Sequence, residues 1–272
     1  MPNPDAISVQ QLTRLNGLPD QPAIIDVRID EDHALDPRML PASVRRDYRA
    51  VDVWAAQYVG RPVVVVCQNG LKLSQGVAAW LRSAGVAAET LDGGFAAWSA
   101  AGGLLVKPDH MPPRDASGGT VWVTRLRPKI DRIACPWLIK RFIDPAARFL
   151  FVAPSEVLSV ADRFNATPFD IEGVFWSHRD DSCTFDVMLD AFGLRSDPLD
   201  RLATIIRCAD TARLDLAPQS AGLLAASLGL SRMYRDDLAQ LEAALGLYDA
   251  FYRWSRDAVT EAHNWPTPGV AS

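Results

Sequence analysis

The sequence predicts two domains: an α/β domain with a mainly parallel sheet, followed by a mostly α-helical (α+β) domain. Strand-like runs alternate with amphipathic helical runs over residues 1–106, which is typical of a parallel sheet covered by helices. Residues 107–119 are rich in proline and glycine and suit an extended linker. Apolar residues at helical spacing dominate residues 120–260, and we expect a flexible tail over residues 261–272.

The elements of the first domain follow from hydrophobic pattern and chain breakers. Four consecutive valines, Val63 to Val66, are typical of a strand buried on both faces, as in a parallel sheet. An amphipathic run then begins near Ser74 and stops at Gly85. The predicted strands cover residues 23–27, 63–66 and 87–91, and the predicted helices cover residues 8–16, 49–58 and 74–84.

Cys67 stands between the valine strand and the helix that follows it. Unpaired backbone N–H groups and the helix dipole favour negative charge there, so we expect them to stabilise a thiolate. The backbone amides of Gln68, Asn69, Gly70 and Leu71 are then the expected binding groups for an oxyanion or a persulfide. Cys67 is the predicted nucleophile, and an inert buried cysteine is the alternative.

Three motifs surround this loop. They are Asp26-Val27-Arg28, Cys67-x-x-Gly70-x-Lys72 and Leu91-Asp92-Gly93-Gly94-Phe95-Ala96-Ala97-Trp98. Together they resemble a single-domain rhodanese, a sulfurtransferase, over roughly residues 7–106. The resemblance implies a persulfide on Cys67, with Lys72, Asp26 and Arg28 as further catalytic-site residues.

The sequence departs from the rhodanese pattern in two places. Lys72 stands where the family usually has arginine, which keeps the charge but loses the planar guanidinium fork. The family's common His-Ile-x-Gly-Ala segment is replaced by residues 40–45, so the substrate preference stays open. In cysteine phosphatases and arsenate reductases five residues separate cysteine from arginine. Leu73 occupies that position here, which favours sulfur transfer over phosphoryl chemistry.

The charge, hydropathy and cysteine content of the chain exclude several classes of protein. The chain has 272 residues, a net charge of −5 and a pI near 5.4, which argues against a nucleic-acid partner. No apolar run approaches the ~20 residues of a membrane helix, so a membrane partner is not expected. The four cysteines form no C-x-x-C pair, and together with the absence of a signal-peptide pattern this predicts a cytoplasmic location. The sequence leaves a homo-oligomer open.

Helical periodicity and capping residues define the second domain. Pro198 and Pro218 suit helix starts, whereas Gly193 and Gly229 suit helix ends. The predicted strands cover residues 121–124 and 149–152, and the predicted helices cover residues 131–142, 155–164, 184–192, 199–209, 220–228 and 236–254.

Three stretches of the second domain carry an unusual mixture of charge and bulk. They are Arg125 to Ile139, His178 to Asp186, and Cys208 to Thr211. They resemble the C-terminal domain of the chromate-resistance regulator family over roughly residues 121–258. The resemblance implies a connection with chromate sensing or oxidative stress and assigns no chemistry.

A metal site is the first hypothesis for this domain. His178, Cys183 and Asp186 offer imidazole, thiolate and carboxylate ligands of the kinds that zinc or iron use. Cys183 would then lie at a helix N-terminus, and Cys135, Cys208 or Asp210 could complete the site. The alternative is a charged surface turn followed by a structural cysteine.

An oxyanion site is the second hypothesis. Arg125, Lys129 and Arg132, with Arg127, form a cationic set whose guanidinium forks suit tetrahedral anions. The alternative is that nearby carboxylates neutralise these cations in ion pairs.

The leading function from sequence is a cytosolic sulfurtransferase that takes sulfur from a donor such as thiosulfate and passes it to a thiol acceptor. A sensor with a non-catalytic rhodanese module is one alternative. A second domain that is itself a redox enzyme is another.

Overall fold

A computed structural model describes residues 5–261, so residues 262–272 of the predicted tail lie outside the described part. The first domain is a five-stranded sheet with strand order β1-β5-β4-β2-β3, in which every pair is parallel. This confirms the predicted fold class. The elements are β1 (Ala6–Ile7), α1 (Val9–Leu15), β2 (Ala23–Asp26), α2 (Asp30–Leu35), β3 (Ser43–Arg45), α3 (Val51–Trp54), β4 (Val63–Val66), α4 (Lys72–Ser83), β5 (Ala88–Leu91) and α5 (Gly94–Ala100).

The valine strand β4 lies at the centre of this sheet, between β5 and β2. Val63 and Val65 pack into one hydrophobic cluster, and Val64 and Val66 pack into another on the opposite face. Alternate side chains of a strand point to opposite faces, so an unbroken valine run is what a strand covered on both faces requires. The buried strand delivers Cys67 to the edge of the sheet where the parallel strands end.

Residues 49–58 do not form the continuous helix that the sequence predicted. The four-residue α3 is flanked by 3₁₀ turns at Tyr48–Ala50 and Ala55–Tyr58. The Asp47 side chain accepts the Arg49 N–H, and the Trp54 indole N–H donates to the Asp47 carbonyl oxygen at 2.9 Å. These local bonds favour tight turns over a regular helix.

The second domain combines a small parallel sheet with a helical core. The sheet has the order β7-β6-β8, and its third strand is two residues long and contains a proline, so no strand pattern marks it in the sequence. The elements are β6 (Val121–Arg125), α6 (Asp131–Leu138), β7 (Arg148–Val152), α7 (Val157–Phe164), β8 (Thr167–Pro168), α8 (Thr184–Phe192), α9 (Asp197–Asp210), α10 (Gln219–Met233) and α11 (Asp237–Asp257).

Two helices of this domain differ from the prediction. Helix α10 continues through Gly229 to Met233, so this glycine does not end it as predicted. A glycine inside a helix costs roughly 1 kcal/mol relative to alanine but does not stop it. The helix predicted over 131–142 changes to π-helical geometry at Ile139–Ile143, one turn after Pro136. Pro136 removes the N–H that would bond to the Arg132 carbonyl oxygen one turn earlier, so it does not account for the π-helical turn that follows it.

The two domains contact each other directly. The Ala42 N–H donates to the Phe142 carbonyl oxygen at 2.6 Å. Gly17 has a φ of +76°, and a Cβ there would lie 2.3 Å from the Phe142 ring, so only glycine leaves room for this ring. The segment predicted as an extended linker is also held, because the Lys107 N–H donates to the Phe192 carbonyl oxygen at 2.9 Å.

Candidate functional site

Cys67 follows the carboxyl end of β4, and α4 begins after the short loop that Cys67 opens. Its side chain is buried, with 5% of the residue exposed. The Cys67 Sγ lies 3.2 Å from the Ser74 Oγ, and the Ser74 hydroxyl lies within hydrogen-bonding distance of the Leu71 carbonyl oxygen at 3.1 Å. Ser74 is therefore a polar neighbour of the sulfur that the sequence motifs did not identify.

The backbone of the loop presents its N–H groups without protein partners. Among residues 5–261, no carbonyl or side chain accepts a hydrogen bond from the N–H of Gln68, Asn69, Gly70 or Leu71. The carbonyl groups of the same loop are bound instead: the Phe95 N–H donates to the Cys67 oxygen at 3.0 Å. Free N–H groups in front of a helix N-terminus form a binding place for an anion.

Two glycines allow the loop to take this shape. Gly70 has a φ of +67°, and a Cβ there would lie 2.6 Å from the Leu91 carbonyl oxygen. Gly94 has a φ of +61°, and a Cβ there would lie 2.3 Å from the Cys67 carbonyl oxygen. Both the backbone conformation and the close approach require glycine at these positions. This explains physically why the glycines of both motifs belong to the same site.

Lys72 is the first residue of α4 and is exposed. It lines an open recess of about 450 Å³ together with Arg49, Tyr48 and Trp80. Arg49 is a second cation in this recess, and its guanidinium lies 4.7 Å from the centre of the Tyr48 ring. Sequence analysis missed Arg49 because it belongs to no motif and is distant from Lys72 along the chain.

Asp26 and Arg28 form a buried ion pair with 2.7 Å between Arg28 Nη2 and Asp26 Oδ2. The remaining guanidinium N–H groups donate to the carbonyl oxygens of Asp36 and Arg38 at 2.8 and 2.9 Å. The sequence placed this pair in the catalytic site as a brace for the Cys67 loop. The pair holds residues 36–38, and the Arg28 guanidinium carbon also lies 3.8 Å from the centre of the Phe95 ring.

In the second domain the structure gathers polar residues from four separate segments. The His178 Nε2 lies 3.4 Å from Asp131, 3.3 Å from Asp170 and 3.2 Å from Asp210, measured to the nearest carboxylate oxygen. Asp131 begins α6, Asp210 ends α9, Asp170 follows β8, and His178 lies in the loop before α8. We call these four residues the His178 cluster.

The N-terminus of α8 closes one side of the His178 cluster. The Thr184 N–H donates to Asp131 Oδ2 at 2.6 Å, and the Thr184 hydroxyl donates to Asp170 Oδ1 at 3.0 Å. The other oxygen of Asp131, Oδ1, is buried and has no hydrogen-bond partner among the residues that the structure describes. Asp170 also accepts ion pairs from Arg125 at 3.1 Å and Arg132 at 3.3 Å.

The carboxylates and the imidazole of the cluster perturb one another. Hydrogen bonds to Asp131, Asp170 and Asp210 raise the pKa of His178 to about 12. Burial raises the pKa of Asp131 to about 6, against the opposing effect of the His178 hydrogen bond. Burial alone would raise the pKa of Asp170 as well, but hydrogen bonds from His178 and Thr184 and the charge of Arg132 hold that pKa below its usual value.

Cys183 and Asp186 do not join His178 as the predicted ligand set. They cap α8 together: the Cys183 N–H donates to Asp186 Oδ2 at 3.2 Å, and the Cys183 Sγ lies 3.4 Å from the same oxygen. Burial raises the pKa of the Cys183 thiol far above its usual range. Asp186 pairs with Arg207 at 3.3 Å and Arg195 at 3.6 Å. Among the described residues, the Cys183 sulfur is not one of the ligand atoms that cluster around His178.

The predicted cationic set is divided by the fold. Arg125 and Arg132 face the carboxylate of Asp170, and Arg132 also donates to the Leu126 carbonyl oxygen at 3.0 Å. Lys129 is exposed. The ion-pair alternative thus describes the two arginines, and they are not an open oxyanion site.

Within residues 5–261, no helix is both long and apolar enough to cross a membrane.

Two protein families match the chain in separate parts. Residues 8–101 match the rhodanese-like domain, and residues 122–255 match the C-terminal domain of ChrB. The curated relative is protein ChrB of Cupriavidus metallidurans, which is 35% identical over 146 residues. That alignment covers 53% of this chain but only 44% of the relative, so the chain corresponds to less than half of its length.

Solved structures match the first part of the chain. A rhodanese-like domain protein from Staphylococcus aureus is 25% identical with a TM-score of 0.31, and the match covers 35% of this chain and 90% of that one. The protein SSP1007 from Staphylococcus saprophyticus is 22% identical with a TM-score of 0.31, covering 34% and 90%. A probable thiosulfate sulfurtransferase is 21% identical with a TM-score of 0.30, covering 37% and 47%.

Proposed function

We propose that this chain, which joins a rhodanese-like domain to a ChrB C-terminal domain, is a sulfurtransferase that carries sulfur as a persulfide on Cys67. One observation carries the proposal. Cys67 begins a loop in which the next four backbone N–H groups have no partner among the described residues. Those groups are oriented by bonds from α5 to the loop carbonyls, so a bound anion would meet a preformed site.

The proposed first step uses thiosulfate as donor. The Cys67 thiolate attacks the sulfane sulfur, a new S–S bond forms, the S–S bond of thiosulfate breaks, and sulfite leaves with the electron pair. Lys72 and Arg49 line one recess beside the start of α4, next to the Cys67 loop along the chain, and we assign these two cations to attracting the anionic donor. The charges attract the donor and stabilise the departing sulfite.

The second step returns the enzyme to its starting state. An acceptor thiolate attacks the outer sulfur of the Cys67 persulfide, so the acceptor becomes a persulfide and Cys67 leaves as a thiolate. The free N–H groups of the loop would stabilise negative charge on the sulfur in both steps. The Ser74 hydroxyl, 3.2 Å from the Cys67 sulfur, can rotate to donate to it once the thiol has lost its proton.

A regulatory protein whose rhodanese module has no turnover is the second candidate. The similarity of the second domain to ChrB favours it, and so does the low exposure of Cys67 at 5%. The two candidates differ in one measurable property, because both allow a persulfide but only a sulfurtransferase discharges it repeatedly.

The test is therefore steady-state turnover with thiosulfate and cyanide, followed as thiocyanate and sulfite, together with the intact mass of the protein. The proposal expects turnover in the parent chain, one added sulfur on Cys67, and loss of both in Cys67→Ser. Sulfur loading of Cys67 without turnover by cyanide or by thiol acceptors would favour the regulatory candidate. Sulfur loading that persists at the parent level in Cys67→Ser would identify a different nucleophile.

A further inference from the structure

We propose that the His178 cluster binds one divalent first-row metal ion, Mn²⁺ or Fe²⁺, through Asp131, Asp170 and His178. Each of these residues offers one ligand atom, and the three atoms all lie within 4.8 Å of one another. The proposal does not depend on the sulfur chemistry of the first domain. Iron and His178 are as the sequence predicted, whereas Asp131 and Asp170 take the place of Cys183 and Asp186 as its partners.

The hydrogen bonds of His178 cannot account for the three carboxylates that lie close to its ring. The His178 Nε2 carries at most one hydrogen, yet carboxylate oxygens of Asp131, Asp170 and Asp210 approach it at 3.4, 3.3 and 3.2 Å. One hydrogen cannot point at three acceptors from separate segments. A cation about 2.1 Å from each ligand places neighbouring ligand atoms roughly 3.0–3.4 Å apart, which is the spacing between His178 and its carboxylates.

A second observation comes from Asp131. Asp131 is fully buried. Its Oδ2 accepts the Thr184 N–H, but its Oδ1 has no hydrogen-bond partner among residues 5–261. A buried carboxylate oxygen without a partner is costly, because desolvation is not compensated. The oxygen that approaches His178 is Oδ2, and a cation bound there would offset the charge of the whole buried carboxylate, which the Thr184 N–H alone does not neutralise.

Charge and access also fit a cation. Arg125 and Arg132 both act on Asp170, whereas no arginine or lysine of the described chain pairs with Asp131 or Asp210. The His178 side chain is 40% exposed and borders an open recess of about 350 Å³ that Asp170 and Arg125 also line. An ion can thus enter from solvent, and three protein ligands leave coordination positions for water or a small ligand.

The ligand set selects the class of metal. One imidazole nitrogen and two carboxylate oxygens are ligands that suit Mn²⁺ and Fe²⁺. Zinc often uses sites that are rich in thiolate, and this site has no thiolate. The Cys183 sulfur lies 3.4 Å from Asp186 Oδ2 and is not one of the three clustered ligand atoms. Asp210 is the nearby carboxylate, 3.2 Å from the imidazole, that adds negative charge beside the ion.

The test uses the full chain, freed of metal with a chelator, and Mn²⁺ as the probe. The electron paramagnetic resonance signal of free Mn²⁺ should fall until one equivalent is bound, and anaerobic Fe²⁺ should compete for the same site. His178→Ala should abolish saturable binding. Asp210→Asn should weaken it roughly 10- to 100-fold, as for a residue that supports a ligand.

His110→Ala is the matched control, because His110 is a neighbouring histidine that stacks on Phe175 at 4.5 Å and offers no ligand to the cluster. Circular dichroism and urea-induced unfolding report whether each variant is folded. A folded parent chain that binds neither Mn²⁺ nor Fe²⁺ overturns the proposal. So does a folded His178→Ala variant that binds Mn²⁺ as tightly as the parent.

Discussion

The guanidinium carbon of Arg28 lies 3.8 Å from the centre of the Phe95 ring, and the Phe95 N–H donates to the Cys67 carbonyl oxygen at 3.0 Å. The buried arginine thus supports the residue that fixes the back of the nucleophile loop. Because Arg28 itself is held by Asp26 at 2.7 Å, the motif at the end of β2 supports the Cys67 loop through Phe95. We assign Asp26 and Arg28 as positioning residues.

Arg28→Leu should destabilise the first domain strongly. The change leaves the Asp26 carboxylate buried and unpaired, which typically costs about 3–5 kcal/mol. The measurement is urea-induced unfolding of the full chain. Arg38→Leu is the control, because its pair with Asp36 is partly exposed, with side-chain exposures of 43% and 27%, and such pairs contribute about 1 kcal/mol or less. Equal losses in both variants would contradict the role of Arg28.

Lys72→Arg should improve turnover of thiosulfate, and Lys72→Ala should lower it. A guanidinium holds a sulfonate through paired hydrogen bonds, whereas an ammonium acts as a point charge. Losing a hydrogen bond to a charged group should lower kcat/KM by roughly tenfold or more. The measurement is initial-rate kinetics with varied thiosulfate. If Lys72→Ala matches the parent chain, the charge at the start of α4 takes no part in the reaction.

Arg49→Ala should raise the KM for thiosulfate, because Arg49 lines the same recess as Lys72. Arg14→Ala provides the control, since Arg14 is an exposed arginine in the last turn of α1. Both variants lower the net charge equally, so a general electrostatic effect would appear in both. A KM that rises only in Arg49→Ala locates the effect in the recess, and equal kinetics in the two variants would remove Arg49 from the donor site.

Ser74→Ala should slow sulfur loading of Cys67 by roughly tenfold. The substitution removes the hydroxyl 3.2 Å from the sulfur and keeps a residue that favours the helix. Stopped-flow mixing with thiosulfate and rapid mass analysis measures the rate. Ser83→Ala, which removes an exposed hydroxyl bonded to Trp80 on the same helix, should load at the parent rate. An unchanged rate in Ser74→Ala would leave this hydroxyl with a structural role only.

Cys135 should stay unreactive towards iodoacetamide as the pH rises from about 7 to about 9. Burial raises the pKa of its thiol well above the usual value, and a raised pKa keeps a thiol protonated, and so unreactive, to higher pH. Peptide mapping by mass spectrometry measures the labelling. The same cysteine should react fully after unfolding in urea. Rapid labelling of Cys135 in the folded chain would mean that the core around α6 opens readily.

Local patterns explain why the sequence could place Cys67 between a buried strand and a helix. The position of Cys67 follows from the valine run before it and the amphipathic helix after it, which are both short-range signals. Gly70 and Gly94 belong to different motifs, and only the fold shows that their backbones lie against each other. Arg49 carries no local signal at all, so its position beside Lys72 depends on how the 3₁₀ turns pack against α4.

The His178 cluster could not be predicted in the same way. Asp131 and Asp210 are far from His178 along the chain, and the eight-residue step from Asp170 to His178 matches no ligand motif. The nearer candidates, Cys183 and Asp186, satisfied each other at the helix start instead. The sequence analysis named His178 and Asp210, but a cluster built from distant segments can be found only from the fold itself.

The close fit of Phe142 against Gly17 bears on how such a chain can change during evolution. The ring is fully buried, and its carbonyl oxygen is tied to Ala42 of the other domain. If the second domain were joined to a different first domain, the Phe142 ring would be exposed to solvent and the space beside Gly17 would be empty. The two halves are therefore expected to be inherited together, and recombination between them should be penalised unless both sides of this contact travel in the same segment.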